Sequence, residues 1–444
     1  MGRIPDRLWR MAALAALGLS GVGCTVASAS PSGGSPSHGF SPTPTPVLTP
    51  AVTQTPTATA TPDLPTASPT FPPLPPIGPA PTGNWTSMNW TKVSVAPIVD
   101  APGAFEIDGF QVFGWSGGYV AFGAGTNGTA DASFIATSYS ADGLRWTAGT
   151  ALDTTKLPSG PIRVGSVVEG PSGLLAVGTY GAACGPTSVP AMWISSDGIA
   201  WRFVSMALAF GGGSIIDIEA GSAGYIATGF TGITVATPAV WTSTDGLSWR
   251  RVNVEARAFG GLVVNDVTAF AGGYILAGAV PSAESPGCGG PPFMTPSLWW
   301  SPDGRTWSRD KVPGTTNATD ATMRVLRISD HALFATEWGG DPSSPSWTST
   351  DGRTWKPSPA LTGWLVTNGR RGLSIVEPQE SGQQIQVSAF EPDLSVAKLA
   401  QTGDVPDQNV FGASMGWPSV AFGPTGLIVA NSAGDIWIGI PVAG

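Results

Sequence analysis

Charge is what this sequence has least of. Charged residues fill 11% of 444 positions, less than half the ~25% of an ordinary soluble domain. Histidine is scarcer still, with two copies, His38 and His331, far apart in the chain. That excludes a metal centre built on histidines. Three cysteines exclude a disulfide-dense scaffold. The 21 basic residues are outnumbered by 30 acidic ones, and no basic run follows Arg3, Arg7 and Arg10. A nucleic-acid partner, which needs clustered Lys and Arg, is therefore not expected. Neither a cofactor nor a metal is expected. What abounds is Gly (60), Pro (42) and Trp (18). Those residues suit many short strands joined by tight turns.

The chain opens with a basic head and an apolar stretch from Met11 to Val22, too short to span a bilayer. Residues 1–23 read as a signal peptide, so the protein is expected to be exported. The sequence Gly-Val-Gly-Cys that follows resembles a bacterial lipoprotein cleavage box, with Gly21 where that box carries Leu. It implies a lipid on Cys24 and anchoring at the outer face of the cytoplasmic membrane or the cell surface. Ordinary cleavage after Ala27-Ser28-Ala29 is the alternative. Residues 24–82 are rich in Pro, Thr and Ser and nearly uncharged. They cannot bury enough surface to offset the entropy of folding, and read as a disordered tether. Roughly 50 residues at about 3.1 Å each would reach about 150 Å. The membrane is contacted only through the lipid, and the protein is expected to be a monomer.

Residues 83–444 contain a repeat. Five segments share Ser-x-Asp-Gly-x-x-Trp: Asp142, Gly143 and Trp146; Asp197, Gly198 and Trp201; Asp245, Gly246 and Trp249; Asp303, Gly304 and Trp307; Asp351, Gly352 and Trp355. Successive Asp residues are 55, 48, 58 and 48 apart. In four copies a further Trp (193, 241, 299, 347) stands two residues before the Ser, on the same strand face. An apolar run precedes each turn: 117–123, 173–178, 224–229, 272–278 and 332–337. Each repeat reads as strand A, turn, strand B, variable loop, strand C, Asp-Gly turn, strand D. Four short antiparallel strands at this period make a propeller blade. Gly supplies the φ a tight turn needs, Asp accepts backbone N–H groups, and Trp packs against the hairpin.

A sixth copy is degenerate: 372–377 matches strand B and 387–399 matches strands C and D, with Val396 in the place of the ring. The seventh supplies strands A to C over 419–439. Residues 89–93 resemble 248–252, so Trp90 corresponds to Trp249, and an N-terminal strand would complete the last blade beside Trp437. The expected fold is all-β: a seven-bladed β-propeller of four-stranded antiparallel blades, with six or eight blades the alternatives.

The recurring turn resembles the Asp-box of the BNR-repeat, sialidase-like propellers, in a variant one residue shorter between Asp and Trp. The resemblance covers about 83–444 and is specific for the fold. For a sialidase it implies an arginine cluster, a Tyr nucleophile assisted by an acid, and an acid/base Asp. Strand A segments offer Arg163, Arg324, Arg327 and Arg370, with Asp217, Asp266 and Glu219. Tyr119, Tyr225 and Tyr274 share one strand B position, as packing residues would. Tyr180 enters a B–C loop and is the remaining candidate. No catalytic segment of the family matches residue by residue. Asp217 and Asp266 could alternatively serve a two-carboxylate hydrolase.

Strand parity puts the A–B and Asp-Gly turns at one end of the ring and the variable B–C loops at the other. From the end of strand B to the turn Asp these loops measure 19, 19, 16, 25 and 14 residues. Variable length in one loop class marks a ligand face. Cys184 and Cys288 fall in that class and form a disulfide candidate, with two free thiols the alternative. Trp338, Trp364 and Phe293 are candidate contact rings. The reading is a non-catalytic glycan- or protein-binding module, its partner an extracellular glycan or an envelope protein. An exo-sialidase or related glycoside hydrolase is the alternative.

Overall fold

The computed structural model describes residues 84–444, apart from the segments 94–105, 127–132, 181–188, 205–209, 232–236, 253–258, 282–293, 313–321, 339–344, 359–363, 377–382, 391–394, 408–418 and several shorter stretches. The expectations for the signal peptide, the tether, Cys24, His38, Cys184, Cys288, Phe293, His331 and Arg370 lie outside the described residues. So do those for the side chains of Arg163, Trp338 and Trp364.

Seven sheets are present, six of them four-stranded in chain order. Their innermost strands are Glu106–Trp115, Ile162–Gly170, Gly213–Gly221, Val263–Phe270, Thr322–Ser329, Trp364–Thr367 and Ser419–Phe422. Each lies against the next, and the seventh returns to the first. At that junction the Val112 N–H donates to Ser419 Oγ at 2.8 Å. The seven-bladed, closed propeller expected from the repeat is the observed fold.

The ring is sealed as expected. Strand Trp85–Val93 pairs antiparallel with Ile436–Ala443, setting Trp90 opposite Gly439 and Lys92 opposite Trp437. The Lys92 ammonium sits 4.8 Å from the Trp437 ring centre and 3.5 Å from Asp435. One strand was not anticipated. Ala400–Gly403 adds to the outside of Trp85–Val93 in parallel, so the last sheet has five strands. Residues 400–403 carry no alternation of apolar and polar side chains, which is why they do not read as a strand.

The Asp-Gly turns have the expected chemistry. In the first, the N–H of Gly143 donates to Ser140 Oγ at 2.8 Å, and those of Leu144 and Arg145 donate to Asp142 Oδ1 at 2.9 Å. The Trp146 indole N–H returns to the Gly143 carbonyl at 3.1 Å. Trp201, Trp249 and Trp307 repeat that bond at 3.0–3.2 Å, whereas the buried Trp355 nitrogen has no such partner. Gly143 has φ of 76°, in the left-handed region that glycine favours. A Cβ there would strike Ile438 of the preceding blade. The degenerate blade corrects one expectation: Val396 is 38% exposed and does not fill the buried place of the ring. Val396 stands on the exposed face of strand Val396–Lys398, the face it shares with Lys398.

Packing follows the seams between blades. Trp193, Trp241, Trp299 and Trp347 are between 0 and 2% exposed. Each buries roughly 150–250 Å², a gross stabilisation of about 4–6 kcal/mol before entropy is counted. The strand B tyrosines reach one blade back. Tyr119 donates to the Gly426 carbonyl at 2.8 Å and lies on Gly423. Tyr225 lies on Gly170, and Tyr274 on Gly221. These rings are seam packing, as their shared position implied.

Candidate functional site

The two ends of the ring sort as strand parity required. Thr425, in the A–B turn of blade 7, donates to the Asp142 carbonyl in the Asp-Gly turn of blade 1 at 3.2 Å. Both turn classes therefore occupy one end, and the strand ends that lead into the B–C and D–A connections the other.

The axis holds the ionisable candidates. In blades 2, 3 and 4 strand A carries a bulge before Ser166, Asp217 and Asp266. These three residues pair with the same strand B position, Val177, Thr228 and Ala277. In blade 5 the matching residue, opposite Thr336, is Arg324, and in blade 7 it is Ser419, opposite Ala430. A polar layer is thus built from equivalent positions of neighbouring blades.

Within it the side chains bond around the ring. Ser166 donates to Asp217 Oδ1 at 3.1 Å, and that oxygen also accepts the Ile218 N–H at 2.8 Å. Asp217 Oδ2 accepts the Val267 N–H of the next blade at 3.0 Å. Asp266 is gripped by both prongs of Arg324, Nε and Nη2, each at 3.0 Å. About a third of the Arg324 side chain stays accessible (34%). Thr268 donates to the Val325 carbonyl, and Thr367 to that of Arg327. From blade 2 to blade 6, neighbouring blades thereby tie off one another's polar groups.

The electrostatics are strained in one respect. Burial, reinforced by the charge of Asp266, pushes Asp217 up to about 6. Burial also pushes Glu219 up to about 7, with Arg327 opposing and Asp217 adding to the rise. At the Asp-Gly turns the shifts run the other way. Asp142 is held at about 2: burial opposes, but the N–H groups of Arg145 and Leu144 and the Arg145 guanidinium prevail.

The structure thus joins Asp217, Asp266 and Arg324, and places Glu219 and Arg327 within electrostatic range. Tyr180 is corrected. It closes strand Gly173–Tyr180, is 3% exposed, and packs with Ile162, Trp193 and Trp201 rather than entering a loop. Ser166 and Ser419 were missed. The signal was present: Ser166, Asp217, Asp266 and Ser419 each stand eight residues before the first large residue of strand B (Leu174, Tyr225, Tyr274, Leu427). Among the described residues no group of His, Cys, Asp and Glu could hold a metal ion.

No protein-family model matches the chain, and no curated protein does. Among solved structures it is similar to Trypanosoma rangeli sialidase in complex with the inhibitor DANA, at 12% identity and a TM-score of 0.39. That match covers 81% of this chain and 58% of the sialidase chain, so this chain spans less than two thirds of that protein. It is also similar to the fucose-specific lectin of Aleuria aurantia, at 11% identity and a TM-score of 0.39, over 71% of this chain and all (100%) of the lectin. A polysaccharide lyase acting on ulvan, of family PL25, matches at 13% identity and a TM-score of 0.38, over 69% and 82% of the two chains. The fold stands on strand order and register, not on these likenesses.

Proposed function

We propose that the chain is a non-catalytic binding module for an extracellular glycan or an envelope protein, displayed outside the cell on a lipid-anchored tether. One observation carries this: Asp217, Asp266, Arg324 and the five tyrosines, groups a sialidase-like reaction would draw on, are built into the framework. Both prongs of Arg324 are engaged by Asp266. A substrate carboxylate therefore could not take the Nε/Nη2 edge of Arg324 without displacing Asp266. Asp217 already accepts three hydrogen bonds. All five tyrosines sit in the framework. Tyr119, Tyr225 and Tyr274 lie on neighbouring turns, Tyr180 is in the core, and the Tyr139 hydroxyl donates to the Gly117 carbonyl at 3.0 Å.

The test pairs a fluorogenic glycoside panel, including a sialoside, with a glycan array and capture of envelope proteins. Binding without turnover is expected. Turnover that Asp217→Asn or Glu219→Gln abolishes would overturn the reading. That second outcome has its own motive: a carboxyl group raised to about 7 suits a general acid, so a glycoside hydrolase is the alternative. Intact-mass measurement of the native protein reads the Cys24 lipid and a Cys184–Cys288 bond together.

A further inference from the structure

The degenerate sixth blade forks at its outer edge. The N–H of Leu399 donates to the Val387 carbonyl at 2.9 Å. One residue later the chain leaves that sheet, and Ala400 pairs instead with Ser87 of the N-terminal strand. After Gly403 it turns back, and the Ile385 N–H donates to the Pro406 carbonyl at 3.0 Å. A shallow depression of about 520 Å³, largely open to solvent, lies in this fork. Gln383 to Gln386 lead into strand C, and Lys398 to Gln401 leave strand D. The fork therefore belongs to the end of the ring opposite the Asp-Gly turns.

Its chemistry is narrow. Four primary amides line it, those of Gln383, Gln384, Gln386 and Gln401, with Lys398 the one charged residue among the lining. Ile385 and Leu399, each 1% exposed, form an apolar floor. An amide carries donors and an acceptor together, as a sugar hydroxyl does. Gln401 is held in place: its Oε1 accepts the Trp90 indole N–H at 2.6 Å and its Nε2 donates to the Leu399 carbonyl at 2.8 Å. No arginine fork is present among the lining residues to grip a carboxylate or sulfate.

We propose that this fork binds an uncharged saccharide. The proposal rests on the binding-module reading and gives it a site and a ligand class. Titration calorimetry on the whole chain would use cellotetraose, chitotetraose and maltotetraose as neutral probes and 3′-sialyllactose as an acidic one. The variants are Gln384→Leu and Gln386→Leu, whose side chains are exposed, so folding is preserved. One neutral probe is expected to bind, with each variant at least ten-fold weaker. A neutral probe bound equally well by both variants would overturn this site and leave the binding-module reading standing, as would binding of 3′-sialyllactose alone. Failure of all four sugars to bind would overturn the proposal, and glycoside turnover would overturn the reading beneath it.

Discussion

The Trp90 indole N–H donates to Gln401 Oε1 at 2.6 Å across 311 residues of sequence. Trp90 belongs to the strand that seals the ring, and Gln401 to the parallel strand laid outside it. One bond thus clasps the closing strand from its outer side, while Ile436–Ala443 holds it from within. Met88 and Trp90, at 0 and 2% exposure, plug the last seam.

Removing that plug should open the ring. Trp90→Ala should cost about 3–5 kcal/mol, as for a large ring removed from a core. Trp90→Phe keeps most of the packing but leaves the Gln401 acceptor unmet, at about 1–3 kcal/mol. Denaturant unfolding followed by tryptophan fluorescence reads both. Equal, small losses would show that the strand does not seal the ring.

The Asp-Gly turns should respond in a graded way. Asp197→Ala removes an acceptor for the Ile199 and Ala200 N–H groups, at 2.8 and 2.9 Å, and should cost about 1 kcal/mol. Asp197→Asn keeps an acceptor and should cost less. Gly143→Ala combines a φ of 76° with a collision against Ile438, and should be the worst of the three in melting temperature.

Stability should fall as pH rises from about 4 to 8. Asp217 and Glu219 are raised in the folded state, to about 6 and about 7. Between the unfolded values and these, the folded chain binds more protons than the unfolded one, so acidification stabilises it. The penalty is fully present above pH 7. It amounts to about 3 kcal/mol for each of the two carboxyl groups, since each tenfold change in proton affinity is worth about 1.4 kcal/mol. Asp142, held at about 2, acts oppositely: its stabilisation is present above pH 4 and lost as pH falls toward 2. Melting curves from pH 2 to 8 should pass through a maximum near pH 4–5. Glu219→Gln should flatten the upper limb.

The Arg324–Asp266 pair should matter for folding and not for ligand binding. Arg324→Ala leaves a carboxylate with 13% side-chain exposure facing Asp217. It should cost about 3 kcal/mol, while the double variant with Asp266→Ala should recover part of that. A double-mutant cycle in urea measures the coupling. Loss of ligand affinity at unchanged fold would move the ligand to the axis.

Much of the fold was legible because its signals are local and repeated. The Ser, Asp and Gly of each turn bond within four residues of one another, so their pattern survives in one dimension. The strand B position of Tyr119, Tyr225 and Tyr274 recurs at a fixed offset, and their packing role followed from that. Tyr180 misled because it ends a strand; only the neighbouring Ile162 and Trp193 decide that its ring turns inward.

Left to itself, the chain's order of residues determined the blade unit, the sealing of the ring through Trp90, and which turns share an end, and it pointed to seven blades. The blade unit depends on hydrogen bonds and alternation that span a few residues, and the seal was legible because residues 89–93 repeat the pattern of 248–252. Tertiary structure alone decided the rest: that Arg324 closes on Asp266 from the next blade, that Glu219 is driven toward neutrality, and that 400–403 leaves one sheet for another. The physical reason is common to all three. Each depends on neighbours that are distant in the chain, and only the closed ring brings residues some fifty positions apart, or more, within reach of a hydrogen bond or of each other's charge.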